Sequence, residues 1–173
     1  VLDFMPAADQ LYRQRDRLRA LVGQRVTAGW TGWTGDRMVP GAPVVLAFEG
    51  GEQLELAWQK WDDLSITWNT VDVAEPRGYE WRPAAPAELA AIVDLPVTAI
   101  DVSEGPYFND VDLVAGGPLP MDAVAGWVVD GLWLETGETG LLVHNGADTV
   151  ALSPSPMIPT HDGLSRTTPL EAF

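Results

Sequence analysis

Residues 44–68 read Val44-Val45-Leu46-Ala47-Phe48-Glu49-Gly50-Gly51-Glu52-Gln53-Leu54-Glu55-Leu56-Ala57-Trp58-Gln59-Lys60-Trp61-Asp62-Asp63-Leu64-Ser65-Ile66-Thr67-Trp68. Three apolar segments alternate with period two, separated by a glycine pair and by a polar cluster, which is the pattern of an antiparallel meander with one face on a core. A two-residue turn at Gly50-Gly51 would set Phe48 opposite Gln53 and Leu46 opposite Glu55, splitting the apolar residues between the two faces. A three-residue loop, Gly50-Gly51-Glu52, pairs Phe48 with Leu54 instead and asks one glycine to take positive φ. The third strand, Leu64 to Asn69, puts Leu64, Ile66 and Trp68 on the core side.

Toward the C-terminus, Asp130-Gly131 is the strongest two-residue hairpin signal in the chain, because a type I′ turn needs positive φ at both positions. It would pair Val129 with Leu132 and Trp127 with Leu134, leaving Trp133 facing away from that hairpin's core. Leu141 to His144 and Asp148 to Ser153 then complete a second meander. Toward the N-terminus, about residues 7–22 form a helix with Ala8, Leu11, Leu18, Leu21 and Val22 on its apolar stripe. Its four arginines, Arg13, Arg15, Arg17 and Arg19, read as a solvated face whose charge suits the helix C-terminus.

The two halves echo one another. Pro6-Ala7-Ala8 leads through a helical stretch to Val26-Thr27-Ala28, and Pro83-Ala84-Ala85 leads through a shorter one to Val97-Thr98-Ala99. Leu46-Ala47-Phe48-Glu49-Gly50-Gly51-Glu52 then aligns with Leu132-Trp133-Leu134-Glu135-Thr136-Gly137-Glu138. The expectation is an α+β fold, mostly β, of two related helix-plus-antiparallel-meander units packed as a sandwich or partly closed barrel. Residues 1–153 form a single globular domain with internal repeats at 6–72 and 83–153, and the segment between Tyr107 and Pro120 is an insertion in the second copy. Residues 154–173, rich in proline and serine, form an extended tail that Met157 and Phe173 could anchor.

Ten basic residues face 25 acidic ones in 173, for a net charge of −15. Residues 1–25 hold five arginines against three aspartates, so the rest of the chain carries −17. Such a field repels nucleic-acid phosphates and anionic lipid and accelerates encounter with basic partners. There is no cysteine, no basic leader followed by an apolar run, and no apolar segment near the ~18 residues of a membrane span. The expected setting is cytoplasmic, with neither nucleic acid nor membrane as partner.

Catalytic signatures are sparse. No phosphate-binding glycine loop, nucleophile elbow or His-Glu-x-x-His is present, and His144 and His161 are the only histidines. No metal site and no cofactor is expected. His144 falls on a strand and reads as an ordinary strand histidine. His161-Asp162 with Ser165 supplies the residue types of a hydrolytic triad without the rigid framework one needs. Asn109-Asp110-Val111-Asp112 offers oxygen ligands but lacks the glycine and terminal glutamate of a calcium loop.

Eight tryptophans are the unusual feature. Strand phase assigns Trp58, Trp68, Trp127 and Trp30 to the core, which leaves Trp33, Trp61, Trp81 and Trp133 as candidates for contact with another molecule. Trp61 is followed by Asp62 and Asp63, the combination of amphipathic ring and carboxylate that suits docking of a basic protein. The leading expectation is a non-enzymatic binding protein whose acidic, Trp-bearing surface meets such a partner, as an inhibitor or immunity-type antitoxin would. A small-molecule or carbohydrate-binding domain is the alternative, and a hydrolase using an acidic pair is a third.

Overall fold

A computed structural model describes residues 2–75, 77–108, 121–147, 149–157 and 165–173. The architecture is α+β with β dominant: a seven-stranded and a five-stranded antiparallel sheet with one main helix. Among the described residues neither sheet closes on itself, so there is no closed barrel. No helix among them is long and apolar enough to cross a membrane.

The first sheet holds β1 (Phe4–Pro6), β2 (Val26–Thr34), β3 (Arg37–Met38), β4 (Val44–Phe48), β5 (Gln53–Gln59), β6 (Asp63–Trp68) and β7 (Glu80–Pro83). They run in the order β1-β6-β5-β4-β2-β3, with β7 also on β2. The second holds β8 (Ala99–Tyr107), β9 (Gly126–Glu135), β10 (Gly140–Asn145), β11 (Val150–Ser153) and β12 (Arg166–Pro169), in the order β11-β10-β9-β8-β12. The long helix α1 (Ala7–Arg19) precedes β2, and the single turn α2 (Ala87–Ala90) precedes β8. Leu46, Trp58 and Ile66 of the first sheet, Val102, Leu134 and Val143 of the second, and Leu11 and Leu18 of α1 share one core.

The meander at 44–68 forms with the expected faces and a different register. Leu46 opposes Leu54 and Val44 opposes Leu56, so the three-residue loop is Glu49-Gly50-Gly51 and Phe48 meets Glu52. Registers two residues apart put the same side chains on the core, so hydrophobic alternation cannot separate them. Turn chemistry does. A three-residue hairpin wants a left-handed residue last, and the observed loop puts Gly51 there at φ 86°, where the other would have put Glu52.

Asp130-Gly131 makes no turn. Both residues lie inside β9, which runs unbroken from Gly126 to Glu135. Ser103 of β8 pairs with Gly131 and Glu104 with Val129, so Asp130 is the extra residue of a β-bulge. Leu132 accordingly pairs with Val102 and Val143 rather than with Val129, and Trp127 pairs with Pro106 rather than with Leu134.

Helix α1 ends earlier than periodicity suggests, and its buried side is Ala7, Gln10, Leu11 and Leu18, with Ala8 and Val22 exposed. The Ala7 N–H donates to the Asp62 carbonyl at 2.7 Å and Gln10 Nε2 to the Asp3 carbonyl at 3.0 Å, which together set the helix's rotation against β6. Its arginines are not merely solvated, since Arg17 stacks on Trp68 at 4.4 Å from the ring centre and bonds Glu52. Among the described residues of the C-terminal stretch, Arg166–Pro169 adds β12 to β8, Leu170 is buried, and Phe173 packs on the core while Met157 is exposed.

The sheets are also joined by main chain. Arg25 bridges Pro96 in an antiparallel pairing, flanked by Gly23 N–H to Val97 O, Val97 N–H to Gln24 O, and Val26 N–H to Leu95 O, at 2.8–3.0 Å.

Candidate functional site

The four nominated tryptophans separate. Trp33 and Trp81 lie on the paired strands β2 and β7, but Trp33 opposes Glu80 and Gly32 opposes Trp81, so the two rings are on opposite faces. Trp33 is half-buried, with its Nε1–H on Thr31 Oγ1 at 2.7 Å and Arg82 over its ring at 5.0 Å. Trp81 is half-buried and meets Tyr79 edge-on at 5.1 Å. Trp133 lies on the face opposite Leu132 and Leu134, outside the core cluster, yet is buried at 6% exposure and so offers no open surface. Its ring lies on Gly140, where a Cβ would sit 2.3 Å from the ring, so a glycine without a side chain makes room for a tryptophan that strand phase puts outside. Trp30 and Trp127, assigned to the core, are half-buried.

Trp61 alone among the four stands in the open, at 64% exposure, on the turn between β5 and β6. That turn is held rather than loose. Lys60 takes φ 52°, and Asn145 at the end of β10 donates through Nδ2 to the carbonyls of Lys60 and Trp61, both at 2.7 Å. Fixing the backbone that carries the ring lowers part of the entropy that contact would cost. Asp62 and Asp63 are part-buried beside it, and Asp63 lies 3.6 Å from Lys60 Nζ.

Between this turn and the bulge of β9 lies a cleft of about 270 Å³, lined by Trp61, Pro106, Val128, Asp130, Asn145 and Ala147. Val128 also lines an adjoining cleft that holds Asp62, Glu104 and Trp127. Burial pushes the Asp130 carboxyl up to about 6, the neighbouring charge of Glu104 adds to this, and the Ser103 hydroxyl eases part of it. That hydroxyl approaches without closing a bond of normal geometry: among the described residues neither Asp130 Oδ1 nor Ser103 Oγ has a partner. Glu104 differs, because Arg166 grips it through Nε at 2.8 Å and Nη2 at 3.2 Å and the Thr168 hydroxyl donates at 2.6 Å. Asp130 can therefore exchange a proton near neutrality, while Glu104 is fully engaged and makes a poor second acid for hydrolysis. His144, part-buried on β10, is held below the usual histidine range by burial, which the Asn145 carbonyl partly offsets.

A larger groove, about 450 Å³, runs by Gly51, Glu52 and Asp72, but Arg17 already holds Glu52 and the groove's Phe48 is buried. Among the described residues no three His, Asp or Glu side chains converge as ion ligands. Asn109 to Asp112, and His161 and Asp162 of the triad types, lie outside the described residues. Sequence reasoning nominated Trp61, Asp62 and Asp63 but not Asp130, Asn145 or the Glu104–Arg166 pair, which the bulge of β9, the end of β10 and the pairing of β12 with β8 bring beside that turn. Comparison with protein-family models, curated proteins and solved structures finds no match for this chain.

Proposed function

We propose that this chain is a non-enzymatic binding protein that docks a basic protein partner through the turn carrying Trp61, as an inhibitor or immunity-type antitoxin docks its target. The observation that carries the reading is a large exposed ring on a pinned turn, flanked by carboxylates, in a molecule with surplus negative charge. Among the described residues, eight of the ten basic side chains already lie within 4.0 Å of a carboxylate of this chain. The excess acid is left to steer a cationic partner. The test is calorimetric titration with a panel of small basic nucleases at low and moderate salt. Affinity should fall with salt and drop at least ~10-fold in W61A/D62K/D63K; salt-indifferent binding, or a variant within twofold of wild type, defeats the proposal.

Small-molecule or carbohydrate binding is the second reading, favoured by the cleft beside the Trp61 ring. A sugar panel that leaves intrinsic tryptophan fluorescence flat removes it.

The two-unit organisation belongs to the same proposal. Each sheet centres on a four-strand meander, β2-β4-β5-β6 and β8-β9-β10-β11, preceded by a helix. Arg25 and Pro96, which bridge one another, stand 71 positions apart, the offset that relates Val26-Thr27-Ala28 to Val97-Thr98-Ala99. Equivalent residues pair with each other in this way when two copies meet about a two-fold axis. On that reading the cleft lies where the β5–β6 turn of one copy meets the β10–β11 turn of the other.

A further inference from the structure

We infer that the cleft beside Trp61 is an arginine pocket, in which a guanidinium of the docked partner stacks on the Trp61 ring and bonds the Asp130 carboxylate. This rests on the docking reading above and names what that site selects.

The chain shows which chemistry its tryptophans take. Arg17 lies 4.4 Å from the Trp68 ring centre while bonding Glu52 through Nε at 3.0 Å. Arg166 lies 4.4 Å from Trp127 while gripping Glu104 with two nitrogens. Arg82 lies 5.0 Å from Trp33 with its Nη2 3.4 Å from Glu80. Each is the same triad, an indole face beneath a guanidinium whose edge meets a carboxylate. Trp61 and Asp130 line one cleft with the ring and the carboxylate of that triad, and among the described residues no arginine of this chain stacks on Trp61.

Three further features select the occupant. Asp130 Oδ1 is a buried acceptor without a partner, and an incoming N–H donor relieves the cost of leaving it so. Pro106 and Val128 give the cleft an apolar wall suited to the methylene stem of a long cationic side chain. A guanidinium is planar, weakly hydrated and forked, so it can stack and bond at once, which an ammonium does less well.

Binding should then depend on pH through Asp130. The polar and charged groups on the elements around it are Glu104 and Ser103 on β8, His144 opposite Gly131 on β10, and Lys60, Asp62 and Asp63 on the turn that carries Trp61, with Arg166 of β12 neutralising Glu104. Arg166 already compensates Glu104, and burial holds His144 below the usual histidine range, so His144 is the neighbour whose ionisation the D130N control separates from that of Asp130.

The experiment titrates the intact protein with N-acetyl-arginine amide, its lysine analogue and its uncharged citrulline analogue, following the Trp61 indole N–H by NMR. The arginine probe should bind tightest and citrulline not detectably. Its affinity should weaken about tenfold from pH 7.5 to 5.0 as Asp130 takes up its proton. D130N, which keeps the shape of the side chain, should abolish both the binding and its pH dependence. Citrulline equal to arginine, lysine equal to arginine, or D130N within twofold of wild type each overturns the pocket. PH dependence that persists in D130N assigns the effect to His144 and overturns it too. If basic nucleases bind in a manner sensitive to W61A/D62K/D63K but not to D130N, docking stands and the arginine pocket falls. If the arginine probe binds and no nuclease does, the pocket stands and docking falls.

Discussion

Replacing Asp130 by asparagine should make the protein more stable at neutral pH. The carboxyl's ordinary value is 3.8 and burial raises it to about 6, so ionising it in the folded state is unfavourable by roughly two pH units. At ~1.4 kcal/mol per unit this is about 3 kcal/mol, reduced to ~1–2 kcal/mol because the group is only partly shielded from water. The sign follows from proton counting. Between pH 3.8 and about 6 the folded chain holds a proton that the unfolded chain has released, so stability falls as pH rises through this window and levels off above it. Asparagine has no proton to lose. Urea unfolding of wild type and D130N from pH 5.0 to 7.5, clear of the isoelectric point near 4.2, should show the curves separating by about 1 kcal/mol in favour of the variant across that range. Titrations of groups remote from Asp130 cancel in the difference. Parallel curves, or a variant less stable at pH 7.5, would refute the account of Asp130 as a carboxylate held at a cost.

Two further perturbations test the frame. E55Q should cost ~2–3 kcal/mol at pH 7 by urea midpoint, because the buried Glu55 accepts from Gln53 Nε2, the Thr67 and Thr70 hydroxyls and the Thr70 and Val71 N–H groups. Burial raises this carboxyl, but the hydrogen bonds outweigh it and hold it below the usual range. Its contribution is therefore present above the unfolded value and lost as pH falls through the folded one, and E55Q should flatten that acid limb. G140A should cost ~2–4 kcal/mol and lower the melting temperature by ~5–10 °C in calorimetry, since its Cβ would sit 2.3 Å from the Trp133 ring and 2.7 Å from the Leu134 carbonyl. A shift under ~2 °C would mean that Trp133 is not buried over Gly140.

Much of the frame was legible. Alternation located β4, β5, β6, β10 and β11 because one face of each is committed to a core, and it placed Trp58 and Trp68 inside. It failed where two arrangements share a pattern. Apolar phase along β9 runs Trp127, Val129 and then Leu132, Leu134, a slip of one residue at Asp130-Gly131. A type I′ turn and a β-bulge both produce that slip, and only the partner strand decides between them. Here β8 continues past the slip to Tyr107, and Gly131 lets Leu142 and His144 approach, since a Cβ there would meet them at 2.8 and 3.0 Å. The site inherited the error: with Asp130 read as a turn tip, nothing could bring it to Trp61. Trp133 was lost for a related reason, because phase gives the face a residue points to and not whether a glycine on the next strand offers room.

One buried and one part-buried carboxylate show which part of the molecule the fold needs and which part it only tolerates. Glu55 and Asp130 both lie on central strands, and burial alone pushes both upward. Around Glu55 the chain supplies donors from three side chains and two backbone amides, so the acid pins residues 70–71 to the sheet and strengthens the fold. Around Asp130 it supplies only the Ser103 hydroxyl and the residue's own backbone N–H, leaves Oδ1 without a partner, and sets the group on a bulge beside the cleft that the exposed Trp61 also lines. A structural role would be better served by asparagine there, which is why the stability measurement and the arginine titration belong together. If D130N stabilises the chain and also abolishes guanidinium binding, the cost of the carboxylate is tied to recognition. If it stabilises and binding is unchanged, Asp130 is tolerated strain, and the docking surface is Trp61 and its neighbouring aspartates alone.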